Sequence, residues 1–362
     1  MPTIDHLLNT IAQLQLPDTP QYHTGMFASQ RFHRWVPYLR EDSNIYFPAL
    51  IAYTLQDYQD QLTPAQKQIV EQITQQIAQN YPRYIGNQSP CLYNFYQTQP
   101  TAHFPNGYIL SKLRHFIPPD DADCSVLIQM THPEATREDA LEVQKFLIKY
   151  ANHSQKQAKH ALPKYAHLPV YGVWFGSGKM PIELDICVLC NILCFKQQFQ
   201  LSLNEQDEAS LEFIRIAIET QDIVYQPFAL SSYYPNTTVI LYHITRLWHK
   251  LARPHTHLPA QKLIALLQAQ TQRVKTQFEQ MLLHIGLLKM GVPQSFAPDE
   301  VQLKQEFDKF PFFIASGCYD MPNRWLESIK NHRILRVYYK NQAYYYALWL
   351  EYEMLRLQAK EH

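Results

Sequence analysis

The sequence predicts an all-α protein built from two concentric rings of helices. Helix start signals and the helical spacing of apolar residues recur along most of the chain. The predicted helices alternate between amphipathic ones and ones that are apolar nearly all round. A helix that is apolar on every side needs cover on every side, so the second kind would form an inner ring and the first kind an outer one. Nine glycines in 362 residues are also few for a β-rich fold with many tight turns.

The elements follow one another without a break in composition. Start signals stand at Thr63-Pro64, at Thr136 and at Asn204. The segment 333–346 fits a short C-terminal β-hairpin, although residues 343–357 fit one helix equally well. No linker or charge block divides the chain, so we expect a single domain over residues 1–362. We expect a short strand at 170–175 and helices at 4–15, 45–58, 64–79, 120–131, 137–152, 183–196, 205–220, 236–251, 259–284 and 297–309.

Composition and charge exclude several classes of function. Lys+Arg and Asp+Glu both total 32, so no global field favours nucleic acid or an anionic membrane surface. No GxGxxG and no Walker-type sequence is present, which argues against nucleotide chemistry. No apolar run reaches transmembrane length, and residues 1–5 lack the features of a signal peptide. Six cysteines in such a chain indicate reduced thiols, so we expect a cytoplasmic protein.

The run Asp120-Asp121-Ala122-Asp123-Cys124 is the first candidate site. It follows Pro118-Pro119 and precedes the apolar run 126–128, which puts carboxylates at the N-terminus of a buried helix. Helix capping alone accounts for such acids. The alternative is an acid site: two neighbouring carboxyls raise each other's pKa, which would keep Asp123 protonated, with Asp121 as its partner. Cys124 would orient the proton donor by a hydrogen bond.

A second candidate is a zinc site. Asp185, Cys187 and His243 lie on two neighbouring predicted helices and are ligand types of catalytic zinc with one open position. Positions i and i+2 do not share a helical face, so Asp185 and Cys187 would have to stand at the helix start. The alternative is that Cys187, with cysteines 190 and 194, fills the core on one face of an apolar helix.

The third candidate is an aromatic cavity wall. Tyr, Phe and Trp make up 13% of the chain, and many of them fall in predicted loops. If the helices form a ring, loops at one end would form the rim of its central cavity, where aromatic rings hold apolar chains and stabilise cations. Filling of the core is the alternative for any one of them. The candidates for this wall are Tyr93, Tyr96, Trp174, Phe175 and Tyr234.

The middle of the chain resembles the terpenoid cyclase/protein prenyltransferase superfamily. The segment Asp121-Ala122-Asp123-Cys124-Ser125-Val126 is similar to the Asp-x-Asp-Asp-Thr-Ala motif of squalene–hopene-type class II cyclases, and closer still to the Asp-Cys-Thr-Ala form of oxidosqualene cyclases. The resemblance implies a single α/α toroid and a proton donor at Asp123. This chain lacks the repeated Gln/Trp-Gly signatures of the two-toroid triterpene cyclases.

A second set of segments is similar to protein prenyltransferase β subunits. Gly178-Lys179, then Asp185-Ile186-Cys187, and Leu241-Tyr242-His243 resemble their diphosphate and zinc segments. The resemblance implies zinc ligands at Asp185, Cys187 and His243, and a diphosphate contact at Lys179. Those enzymes need a partner α subunit.

Together these patterns predict an isoprenoid cyclase-like protein. It would start a carbocation cyclisation by protonating an apolar isoprenoid-type small molecule, and it would need no cofactor. Peripheral contact with a membrane stays open. Two alternatives stay open: a zinc-dependent prenyl-transfer site, and a non-catalytic toroid that binds an apolar ligand or a protein partner in its central cavity.

Overall fold

The chain folds mainly into helices. The computed structural model describes residues 2–107, 110–159, 161–176, 180–251, 258–315 and 336–361. None of the helices in these ranges is long and apolar enough to cross a membrane. They are α1 (Ile4–Leu14), α2 (Tyr46–Gln56), α3 (Pro64–Ala78), α4 (Ala122–Thr131), α5 (Arg137–Lys149), α6 (Pro163–Ala166), α7 (Ile186–Gln198), α8 (Glu205–Glu219), α9 (Asp222–Tyr225), α10 (Pro227–Leu230), α11 (Thr237–Lys250), α12 (Ala260–Thr271), α13 (Gln277–Lys289), α14 (Glu300–Phe307) and α15 (Gln342–Glu361).

Six of these helices contact one another in a closed cycle. Helix α2 packs on α4, α4 on α7, α7 on α11, α11 on α13, α13 on α15, and α15 back on α2. Every residue of α4 is buried, and α2 and α7 are buried except at their C-terminal ends. Helices that are apolar on all sides bury that surface only when neighbours surround them. The apolar helix predicted at 183–196 is present as α7 within this cycle.

The remaining long helices pack on single members of the cycle. Helix α3 packs on α2, α5 on α4, α8 on α7, α12 and α14 on α13, and α1 on α15. Helix α5 shows why: its buried residues Ala140, Val143 and Leu147 follow i, i+3, i+7 spacing and so form one apolar face. One predicted helix, 259–284, is two helices, α12 and α13. The break occurs because Thr276 caps α13 by accepting a hydrogen bond from the backbone N–H of Glu279.

A four-stranded antiparallel sheet corrects the expectation of an all-α fold. It consists of β1 (Ser29–Phe32), β2 (Leu39–Asp42), β7 (Phe313–Ala315) and β8 (Val337–Asn341), in the order β2-β1-β8-β7. The register pairs Arg31 with Tyr339 and Phe313 with Tyr339. Four further strands of two residues each form two antiparallel pairs: β3 (Gln97–Thr98) with β4 (Thr101–Ala102), and β5 (Asp120–Asp121) with β6 (Trp174–Phe175).

The expected C-terminal β-hairpin is wrong. Strand β8 pairs with β1 and β7, and the chain enters helix α15 directly after it, as the alternative expectation had it. Asn341 makes the switch, because its side-chain oxygen accepts a hydrogen bond from the backbone N–H of Tyr344 at 2.9 Å. Residues 333–335 of the predicted hairpin lie outside the described residues. Of the strand expected at 170–175, only Trp174–Phe175 is present, as β6.

Candidate functional site

A small aromatic cavity lies where β5 leads into α4. Its volume is about 70 Å³. A second cavity, of about 130 Å³, shares four of its aromatic walls and therefore adjoins it. The polar groups at the first cavity are Asp121, Asp123 and Cys124. Its aromatic walls are Tyr46, Phe95, Trp174, Tyr233, Tyr234 and Phe313, and all of these except Tyr46 and Tyr234 also line the second cavity.

Asp121 is the residue that caps α4. Its Oδ1 accepts a hydrogen bond from the backbone N–H of Cys124 at 2.7 Å, and its backbone pairs with Trp174 across β5 and β6. Its Oδ2 is buried without a hydrogen-bond partner among the described residues. Burial raises the pKa of the Asp121 carboxyl to about 8, with a smaller contribution from the charge of Asp123. The capping explanation for the acidic run therefore applies to Asp121, which leaves Asp123 without that role.

Asp123 is a buried carboxyl on the cavity wall. It stands in the first turn of α4 and is 5% exposed. Its Oδ1 accepts a hydrogen bond from Nδ2 of Asn191 at 2.5 Å. Its Oδ2 is hydrogen-bonded to the hydroxyl of Tyr234, which also bonds to the hydroxyl of Tyr46. Burial raises the pKa of Asp123, against the hydrogen bonds of Tyr234 and Asn191, which favour the charged form.

Cys124 is not the residue that holds Asp123. The carboxyl of Asp123 is hydrogen-bonded to Asn191 and Tyr234, and Cys124 contacts Asp121 through its backbone N–H. Burial raises the pKa of Cys124 well above its ordinary value, so the group is a neutral thiol. The residue positioned to orient the carboxyl of Asp123 is therefore Asn191 rather than Cys124.

Two residues of this constellation carried a sequence signal that was not used. Asn191 lies in the apolar part of α7 and Arg246 in the buried part of α11, and both are at most 1% exposed. Buried polar groups need partners, so such residues point to an interior network. Arg246 donates a hydrogen bond from Nη2 to Oδ1 of Asn191. Tyr46 and Phe313 gave no comparable signal, because an aromatic residue in a core segment is ordinary.

The predicted aromatic wall is only partly at the cavity. Trp174 and Tyr234 line the first cavity, and Tyr96 lines the second. Phe175 packs instead against Phe146 and Tyr150, because consecutive residues of a strand point to opposite faces. Tyr93 packs against Tyr81 in the core. Lys179 lies outside the described residues.

The proposed zinc ligands are occupied by other contacts. The carboxylate of Asp185 caps α7 through the backbone N–H of Cys187 at 2.9 Å and accepts hydrogen bonds from Ser231 at 2.7 and 2.8 Å. Burial raises its pKa to about 7. Nδ1 of His243 lies 2.8 Å from the carbonyl oxygen of Val239. In the described part of the chain, no group of three His, Cys, Asp or Glu side chains could hold a metal ion. Nε2 of His243 is buried without a hydrogen-bond partner among the described residues, and the zinc site stays a prediction from the sequence.

Comparison with known proteins adds no family to these observations. The sequence matches no family model, and no curated protein is significantly similar to it.

Proposed function

We propose that this protein is an isoprenoid cyclase-like enzyme on a single α/α toroid, with Asp123 as the general acid. The cyclic packing of α2, α4, α7, α11, α13 and α15, with further helices on individual members, supports the toroid. The observation that carries the function is one carboxyl, buried and raised in pKa, on the wall of an aromatic cavity. Protonation of an unactivated alkene needs a desolvated carboxyl that holds its proton, and burial acts on Asp123 in that direction.

The surroundings of Asp123 suit both of its charge states. When it is neutral, its Oδ2–H can donate to the hydroxyl oxygen of Tyr234, whose own proton then points to Tyr46. When it is ionised, the Tyr234 hydroxyl donates to Oδ2 instead. Both arrangements use the same heavy-atom positions, because hydroxyl hydrogens rotate. The acid can therefore lose and regain a proton with little rearrangement of the protein.

The aromatic walls suit the cation that follows. The faces of Trp174, Phe95 and Phe313 provide negative quadrupole density, which stabilises positive charge. An apolar cavity of ~150 Å³ holds a benzene-sized molecule. The adjoining cavities of about 70 and 130 Å³ therefore suit a small unsaturated substrate, or one segment of a longer chain, rather than a whole triterpene.

The test is turnover of a panel of isoprenoid alkenes of increasing length in D₂O. An acid-initiated cyclisation places one deuterium from solvent on carbon in the product. We expect Asp123→Asn to lower that turnover by a factor on the order of 10³ or more, with an unchanged melting temperature. Asp120→Asn is the matched control, since Asp120 is also buried but is held by Asn87 and Asn94. Unchanged turnover and melting temperature in Asp123→Asn would refute the proposal.

Binding of an apolar ligand without catalysis is the second candidate. It is favoured by the fact that both oxygens of Asp123 already have hydrogen-bond partners. In that case the ligand would bind wild type and Asp123→Asn with similar affinity, and no deuterium would reach carbon.

The described cysteines are all buried and free of disulfide bonds, which supports the cytoplasmic location expected from the sequence.

A further inference from the structure

A buried arginine, Arg246, is linked to Asp123 through the side-chain amide of Asn191. Arg246 is 1% exposed, and its hydrogen bond to Asn191 continues through the bond from Asn191 to Asp123. Its guanidinium carbon stands over the rings of Tyr53 and Tyr242, at 5.0 and 5.5 Å from their centroids. In the ranges that the structure describes, its Nε and Nη1 have no hydrogen-bond partner.

Donor and acceptor chemistry fixes the orientation of the Asn191 amide. A guanidinium has only donors, so the amide oxygen must face Arg246 and the amide NH₂ must face Asp123. The oxygen that meets this NH₂, Oδ1 of Asp123, must then be an acceptor. When Asp123 is neutral, its proton is therefore on Oδ2, the oxygen beside Tyr234.

The pairing of buried charges also connects Arg246 with Asp123. Glu351, another buried carboxylate of the helix cycle, is 2.9 Å from Nζ of Lys289 and also accepts from Tyr242 and Tyr58, at 2.8 and 3.2 Å. Glu351 is therefore neutralised by its own cation. Among the described residues Arg246 forms no such ion pair, and the nearest carboxyl in its hydrogen-bond network is Asp123.

We propose that Arg246 is a positioning residue for the acid: through Asn191 it keeps the transferable proton on Oδ2 of Asp123 and stabilises the carboxylate left after proton transfer. This inference rests on the proposed acid role of Asp123. In that step the O–H bond at Oδ2 breaks, and the π electrons of the alkene form the new C–H bond. The neighbouring carbon becomes cationic, and the electron pair of the O–H bond stays on the carboxylate. Loss of a proton from the product cation to that carboxylate restores the neutral acid.

Other ionisable groups also act on Asp123, so the test must separate Arg246 from them. They come from the start of α4, from α2, from α7 and its cap, from α15, and from the segment before α11. They are Asp121, Cys124, Tyr46, Asp185, Cys187, Cys190, Tyr234 and Tyr344.

The experiment follows the charge of Asp123 directly. In protein labelled with ¹³C at the aspartate carboxyls, the NMR signal missing from Asp123→Asn belongs to this residue, and its titration gives its midpoint. Arg246→Gln removes the charge but keeps a donor for Asn191, and Arg246→Met removes both. We expect the midpoint to rise by about one pH unit in Arg246→Gln and by about two in Arg246→Met.

Lys289→Met is the matched control, because it also removes a 1% exposed cation from the ring interior, but one that is paired with Glu351. It should shift the midpoint of Asp123 much less than the Arg246 variants do. If Arg246→Met does not fold, Arg246→Gln and Asn191→Leu decide the same question. A midpoint that is unchanged in them, or an Asp123 that stays neutral throughout the folded pH range of every variant, overturns the proposal. No substrate is used, so failure of the cyclase proposal would leave this result standing.

Discussion

Replacement of Asp121 by Asn should change how the stability of the protein depends on pH. Asn keeps the oxygen that accepts from the backbone N–H of Cys124, so the cap of α4 survives. The other carboxylate oxygen has no hydrogen-bond partner among the described residues, so no bond is lost there. The new NH₂ group adds a buried donor, whose cost is about 1–3 kcal/mol without a partner and does not vary with pH.

The magnitude follows from the raised pKa. With a pKa of about 8 in the folded state and 3.8 as its ordinary value, Asp121 holds a proton in the folded protein that the unfolded chain has lost. Stability is therefore complete below about pH 4 and falls as pH rises, by up to about 1.4 kcal/mol per unit, until about pH 8. Between about pH 5 and about pH 8 the loss from this one group approaches about 4 kcal/mol. Water that reaches the ionised carboxylate reduces it.

The assay is urea unfolding of wild type and Asp121→Asn, followed by circular dichroism across this pH range. We expect the free energy of unfolding of the variant, relative to that of wild type, to increase steadily as pH rises. Asp60→Asn, which removes an exposed carboxyl, is the control and should follow wild type. Parallel pH profiles for wild type and Asp121→Asn would refute the reasoning, because they would mean that Asp121 ionises in the folded protein as easily as in the unfolded chain.

Three further outcomes are expected. Glu351→Gln should lower the free energy of unfolding, measured in urea, by about 3–5 kcal/mol, because it leaves Lys289 buried and unpaired. Adding Lys289→Met should recover most of this loss. Equal stability of wild type and Glu351→Gln would contradict the expectation. Gly25→Ala should cost about 2 kcal/mol or more, since φ is +91° and the new Cβ would lie 2.4 Å from the Gln76 carbonyl oxygen; an unchanged melting temperature would exclude that strain. Metal analysis of protein purified without chelator should show far less than one zinc per chain. One zinc per chain would instead support the zinc site predicted at Asp185, Cys187 and His243.

Much of the helical framework was accessible from the sequence because its signals are local. The Thr136 capping box and the apolar face of α5 lie within one short segment, and so does the cap at Asp121. The sheet was missed because its pairing is non-local: β1 pairs with β8, and Ser29 lies opposite Asn341. Nothing near either strand indicates the other.

The candidate site shows the same difference between local and non-local signals. Asp123 could be singled out from its neighbours in the chain, but its partners come from other helices and from a loop. Asn191 lies on α7, Arg246 on α11 and Tyr234 before α11, and these meet only when α4, α7 and α11 pack together. Phe175 shows the converse, since a one-residue step along β6 separates a cavity wall from the core.

Two buried cations on neighbouring helices of the cycle, Lys289 and Arg246, have different partners. Lys289 is neutralised directly by Glu351, in an ion pair that Tyr58 and Tyr242 complete with hydrogen bonds. Such a pair is satisfied in the folded protein and has no need to change. Arg246 meets its carboxyl only through an amide, and that carboxyl, Asp123, also faces an aromatic cavity. Burial raises the pKa of that carboxyl, whereas the charge of Arg246 favours its ionised form. Under the proposed acid role, these two opposing effects act on the one carboxyl that must give and regain a proton.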